Sequence, residues 1–219
     1  MPTPLKIDFV SDIACPWCAV GLASLQQALA RSADAMQATL HFQPFELNPD
    51  MPPEGEDVDE HLARKYGGTP EQFAQNREAI RARGAAVGFT FRPEGRGRIV
   101  NTFDAHRLLH WAGLQGAAAQ LALKRALLEA YHGRGERVDH TDVLLAAVQA
   151  AGLDVAGARA VLAGDAHAAD VRAAEGEWQR AGIRAVPAVV INDRHLISGG
   201  QPPEVFEQAL RQIAQAGDA

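Results

Sequence analysis

Strand-forming sequence occurs only near the two ends of this 219-residue chain, so any sheet must join residues from both ends. Residues 5–10, LKIDFV, alternate apolar Ile7 and Phe9 with polar Lys6 and Asp8, the period of a half-buried strand. Residues 38–47, ATLHFQPFEL, put Leu40 and Phe42 on one face; Pro44 should end this strand or place it at an edge. The next β-branched run, Val189 to Ile191, comes far downstream, followed by a turn at Asn192-Asp193 and a short partner, RHLIS. Between about 58 and 165 the apolar spacing is helical. Thr69, Pro70 and Gln72 form a capping-box start. Ala105, Leu108, Leu109 and Ala112 make one stripe, Leu123, Leu127 and Tyr131 another, and Leu144, Val148 and Ala151 a third ending at Gly152. Residues 48–57 read as a loop and domain junction, and FTFRPEGRGRIVN as an irregular connection. A further helix starts near 165, with Asp165 as its cap and Gly182 as its stop. The order is β-α-β, a helical block, then α-β-β-α, which excludes a simple helical bundle.

The formal net charge of −6 and the lack of any basic run exclude an electrostatic grip on nucleic acid or on an anionic membrane surface. No run of about 18 apolar residues is present to cross a bilayer. The first residues, MPTPLKIDFVSD, do not read as a secretory signal, so a cytoplasmic protein is expected. That location bears on Cys15 and Cys18, the only cysteines. Cytosolic thiols are kept reduced, which argues against a structural disulfide. A structural zinc site takes four ligands, and only one Cys-x-x-Cys is present. His106 and His110, at i and i+4, could complete such a site but read more simply as surface or cleft-lining residues, so no metal is assigned.

Thiol chemistry fits the local sequence better. Cys15 lies where a strand gives way to a helix, whose free N–H groups favour an anion, and Pro16 suits the first helical position. Cys18 lies one turn inward. The expected roles are Cys15 as exposed nucleophile and Cys18 as buried resolving thiol. Asp12, three residues before Cys15, is either a proton shuttle for Cys18 or a loop-capping carboxylate.

Five segments in order, DFVSDIACPWCAVG, FQPFELNPDMP, NTFDAHRLLHWA, GIRAVPAVVIN and ISGGQP, resemble the DsbA-like thioredoxin-fold proteins, specifically their FrnE-like branch. The resemblance implies an α/β protein: a discontinuous thioredoxin domain (1–50 and 166–219) interrupted by an inserted α-helical domain (51–165). It implies thiol–disulfide oxidoreductase activity with no bound cofactor beyond the redox-active Cys15–Cys18 pair. It also implies a cis Pro187 beside the cysteines, leaving the Val186 backbone to pair with substrate, and a cleft lined by Pro16, Trp17, Asn48, His106, Gly199, Gly200 and Gln201. Expected partners are protein or small-molecule thiols and disulfides, with glutathione as a candidate co-substrate and the chain a monomer or homodimer. Some FrnE-like members carry a second cysteine pair; this chain has none, so an internal relay is excluded. The rival reading is a glutathione-dependent enzyme similar to kappa-class transferases and 2-hydroxychromene-2-carboxylate isomerases, which typically place serine at the Cys15 position. A third is a metal-binding or interaction module.

Overall fold

The computed structural model describes residues 2–216. Strands β1 (Thr3–Ser11) and β2 (Met36–Pro44) flank helix α1 (Pro16–Arg31). A short strand β3 (Glu56–Asp57) leads into α2 (Val58–Tyr66) and α3 (Pro70–Ala86), and β4 (Arg98–Ile99) precedes α4 (Phe103–Gly113). Next come α5 (Ala117–Leu128), a π turn (Glu129–Gly133), α6 (Thr141–Ala150) and α7 (Val155–Leu162). The chain returns through α8 (Ala168–Arg180), β5 (Ala188–Ile191), β6 (His195–Ser198) and α9 (Pro203–Ala216).

The main sheet has the order β2-β1-β5-β6 and is built from both ends of the chain. β1 runs parallel to β2 and antiparallel to β5, with Phe9 opposite Phe42 on one side and Val189 on the other. Asn192 and Asp193 both take positive φ, 51° and 57°, which gives the β5–β6 hairpin a turn matching strand twist. β2 is an edge strand that ends at Pro44, where the missing N–H costs no ladder bond. α1 packs against α9, whose Phe206 and Leu210 are fully buried. Ile7, Phe9, Leu25 and Phe206 from the sheet layer join Leu108, Leu123 and Leu127 from the helical segment in one apolar cluster. Each such side chain contributes about 1.5–3 kcal/mol on burial. This is the expected thioredoxin fold with a helical insertion. Among the described residues, no helix is long and apolar enough to cross a membrane.

Three local expectations need correction. The loop at 48–57 and the connection at 89–101 each contribute a strand, β3 and β4, which pair antiparallel; two-residue strands carry no periodicity to read. The stripe ending at Tyr131 is not one α-helix, because α5 widens into the π turn after Leu128. Asp165 does not cap α8; the residue before that helix is His167, at φ 63°. The buried Arg107 guanidinium donates to the carbonyls of Val161, Gly164 and Ala166, so this loop is set by tertiary bonds. The capping box at α3 is present as read, with Thr69 and Gln72 bonding reciprocally.

Below the C-terminal end of β2, Glu46 and Glu175 share one guanidinium, Arg172, while Glu46 Oε1 and Glu175 Oε1 are buried without partners. Burial, countered by Arg172 and reinforced by the Glu175 charge, pushes the Glu46 carboxyl up to about 7. The folded value exceeds the ordinary 4.5, so the folded state holds this proton more tightly than the unfolded chain. Its stabilising contribution is therefore complete below about 4.5 and lost as pH rises through 7. Glu46→Gln carries the neutral form permanently. Urea unfolding at pH 5.5 and 8 should show a smaller loss of stability in the variant than in the native chain; equal losses would exclude Glu46 as the titrating group.

Candidate active site

The site forms where β1 stops. Asp12 turns the chain, Cys15 N–H donates to Asp12 O at 3.2 Å, and Cys15 becomes the N-cap of α1 with extended φ and ψ of −90° and 112°. No side chain caps this helix, so the field of its first-turn N–H groups acts directly on the Cys15 sulfur. Pro16 occupies the first turn, where it lacks a donor that would have been unpaired. Cys18 follows with its N–H on Cys15 O at 3.1 Å and is completely buried. Both are free thiols.

Cys15 is not the exposed nucleophile that its position in sequence suggests. It retains 4% of its surface, and its Sγ lies 3.5 Å from Val186 O. The Val186–Pro187 bond is cis, as the resemblance implies. The cover comes from distant segments: the 183–187 loop on one side, and Arg96 on another, whose Nη1 donates to Ala14 O at 2.8 Å.

Asp12 is tied rather than free. Oδ1 accepts from Ala14 N–H at 3.0 Å and the Thr102 hydroxyl at 2.8 Å, and Oδ2 accepts from Leu47 N–H at 2.7 Å. His106, also buried, holds Nε2 3.5 Å from Oδ1, beyond ordinary hydrogen-bond length. Burial pushes the Asp12 carboxyl up, but His106 and the Leu47 and Ala14 amides outweigh it and hold it below the ordinary value. These bonds make Asp12 a cap of the loop that leads into Cys15.

Of the other expected residues, Trp17 and Gly200 meet closely. A Cβ on Gly200 would stand 2.9 Å from Trp17 O and 3.4 Å from Gly21 N. A Cβ on Gly21 would in turn stand 3.1 Å from Pro187 Cγ. Glycine at both positions lets the 199–201 turn and Pro187 lie against the first turns of α1. Gly199, at φ 82°, donates its N–H to Pro187 O at 2.8 Å. Gln201 spends its side-chain amide on Ser198 O rather than on the cysteines. Asn48 Oδ1 accepts from Lys65 Nζ, which also binds Leu47 O, so it braces the loop that holds Asp12.

Several further residues surround the cysteines without any local sequence signal of a site. Arg83 donates to Gly200 O and lies 6.0 Å above the Trp17 ring. The π turn brings Tyr131 and His132 inward: Tyr131 donates its hydroxyl to Arg98 O, and His132 Nε2 to Ile13 O at 2.8 Å. Burial pushes His132 down to about 3, so it is a neutral donor pinning the residue two before Cys15. Lys124 is buried and pushed down by burial to about 8, and its charge favours a Cys18 thiolate. A π widening is a mark of functional helices, but it carries no sequence period.

The two thiols are driven apart in acidity. The Cys18 S–H bond lowers the Cys15 pKa, against burial, with further help from the Cys18 amide and Arg96 and opposition from Asp12. Burial, then the Cys15 sulfur, raises Cys18 well above the ordinary thiol value. A thiolate at the helix mouth with a protonated thiol behind it can attack a disulfide sulfur and be displaced in a second step. Beside Pro16 opens a cleft of about 320 Å³ whose lining includes Arg77, Arg81, Arg92 and Arg96. Three of these pair with neighbouring carboxylates, Arg77 with Asp59, Arg81 with Glu78 and Arg92 with Glu94.

Comparison with known proteins places the chain among relatives of one family model and several solved structures. A family model described as DSBA-like thioredoxin domain matches residues 6–211. A probable DsbA oxidoreductase from Streptomyces coelicolor is 35% identical and superposes with a TM-score of 0.88, over 97% of this chain and 90% of that one. The cytosolic disulfide reductase DsbM from Pseudomonas aeruginosa, solved with GSH, shares the fold at 16% identity and a TM-score of 0.65, over 96% of this chain and 99% of that one. A 2-hydroxychromene-2-carboxylate isomerase does so at 15% identity and a TM-score of 0.65, over 96% and 97%. No curated protein matches the sequence.

Proposed function

The chain belongs to the DSBA-like thioredoxin domain family, and on that footing we propose that it exchanges disulfides with protein or small-molecule thiols through Cys15 and Cys18. The observation that carries this reading is the geometry: Cys15 caps α1 with its sulfur 3.5 Å from the carbonyl of Val186, next to cis Pro187, and Cys18 lies completely buried one turn behind it. In the reducing direction the Cys15 thiolate attacks one sulfur of a substrate disulfide, forming a mixed disulfide and expelling the other sulfur as a thiolate. Cys18, once deprotonated, attacks Cys15, breaks the mixed bond and releases the second thiolate. Two electrons have then moved from the dithiol to the substrate, and the enzyme holds a Cys15–Cys18 disulfide. Oxidation of a substrate dithiol is the same sequence reversed. The helical segment, taken as residues 51–165, braces the residues just before Cys15 through Arg96, Thr102 and His132, with residues 1–50 and 166–219 as the redox body.

Glutathione is the small thiol best suited to regenerate the dithiol, two molecules being oxidised to one disulfide per turnover. The cleft beside Pro16 supports this through Arg96, which has no carboxylate partner among the described residues, because glutathione carries two carboxylates. A cytosolic setting, where glutathione is abundant, belongs to the same proposal. Equilibrating the protein in glutathione buffers and counting free thiols tests it. A potential near about −270 mV marks a reductant and one near about −120 mV an oxidant. A pair that never equilibrates with glutathione would overturn glutathione as partner. Full glutathione-dependent activity in Cys18→Ala would transfer the assignment to the isomerase and transferase type, which needs one catalytic thiol.

A further inference from the structure

Away from the cysteines, the last turn of α4 and the first turn of α8 bring His110, His167 and Asp170 together. We propose that these three residues bind a divalent transition-metal ion of the zinc class, tying α4 to α8. One ligand atom from each lies within 4.8 Å of the others. His167 Nδ1 is 3.3 Å, and His110 Nε2 3.8 Å, from Asp170 Oδ2. Bonds of about 2.0–2.1 Å in a tetrahedral site put neighbouring ligand atoms about 3.4 Å apart. Two of the three edges therefore already have nearly the required length, and the imidazole–imidazole edge is no longer than 4.8 Å. The two rings lie side by side, centroids 5.1 Å apart and tilted by 38°.

The surroundings hold the ligands in this arrangement. Arg107, one turn before His110 on α4, fixes the loop through Val161, Gly164 and Ala166, and that loop delivers His167 in a left-handed conformation. Asp170 follows three residues later on the first helical turn. His110 and His167 keep 33% and 22% of their side-chain surface and Asp170 57%, leaving a path for an ion and a fourth position for water. Two imidazoles and one carboxylate suit zinc, cobalt or nickel rather than calcium or magnesium. Among the described residues this is the one such convergence of His, Cys, Asp and Glu ligands, and the cysteines take no part in it.

The test uses the full chain carrying Cys15→Ser and Cys18→Ser, so that thiolates cannot coordinate, after chelator treatment. Calorimetric titration with Zn²⁺ should show one saturable site per chain and a concentration-dependent rise in thermal midpoint. His167→Asn, which tolerates the left-handed backbone, and Asp170→Asn should each weaken binding about tenfold or more. If the double-serine chain fails to fold, Co²⁺ added to the reduced native protein gives the same answer. Visible absorption from nitrogen and oxygen ligation, without a thiolate charge-transfer band, supports the site. Absence of saturable binding, purely thiolate absorption, or unchanged affinity in His167→Asn overturns it.

Discussion

Replacing Cys15 with serine is expected to lower catalysed reduction of insulin disulfides to the uncatalysed rate. A serine hydroxyl cannot form a mixed disulfide, and no second cysteine pair exists to take over. Cys18 cannot substitute, because it is completely buried and burial raises its pKa well above the ordinary thiol value. The fold should tolerate the change: Cys15 makes its cap through backbone geometry, and serine is a preferred N-cap residue. An unchanged far-UV spectrum with lost turnover would locate the loss in chemistry. Cys18→Ala should behave differently, still attacking substrate through Cys15 but accumulating the mixed disulfide, which intact-mass measurement detects. Native-like turnover in Cys15→Ser would remove the assignment of this pair as the redox centre.

The cysteine pair was legible because local sequence carries it, in a spacing of three and a strand-to-helix change, whereas the cis proline opposite was legible only through the family resemblance. The sheet, like the cysteine pair, was legible locally, since period-two alternation at Ile7, Phe9, Leu40 and Phe42 needs no partner to be recognised. What surrounds the sulfurs was not. The Thr102 bond to Asp12 spans 90 residues, the His132 bond to Ile13 spans 119, and the Cys15 contact with Val186 spans 171. The first two depend on how the helical segment folds back beside α1, the third on how the segment before β5 returns to it, and no local period encodes either. The burial of Cys15 follows from those contacts, which is why its placement in the sequence suggested an exposed sulfur. Lys124 was hidden for another reason. On a helix a lysine normally marks the solvent face, and here it points into the core beneath Cys18.

Asp12→Asn should separate the structural role of this carboxylate from its electrical one. Three donors converge on two oxygens that accept only, so an amide must set its NH₂ against at least one donor. Losing one charge-assisted bond in a buried site costs about 1.5–3 kcal/mol. The pH dependence follows from the direction of the shift. A carboxyl held below its ordinary 3.8 contributes stability that is complete above that value and lost as pH falls through the folded one. The deficit of the variant should therefore be full at pH 7 and shrink in acid. The electrical effect has the opposite sign for function. The Asp12 charge raises the Cys15 pKa, so removing it should make the thiol more acidic and move the midpoint of Cys15 alkylation to lower pH. A loosened loop alone would lower stability without moving that midpoint downward. Rapid-quench measurement of mixed-disulfide resolution completes the comparison. A resolution rate that falls while the alkylation midpoint stays fixed would make Asp12 the proton acceptor for Cys18. A midpoint shift with resolution intact would leave it as the charge that restrains Cys15.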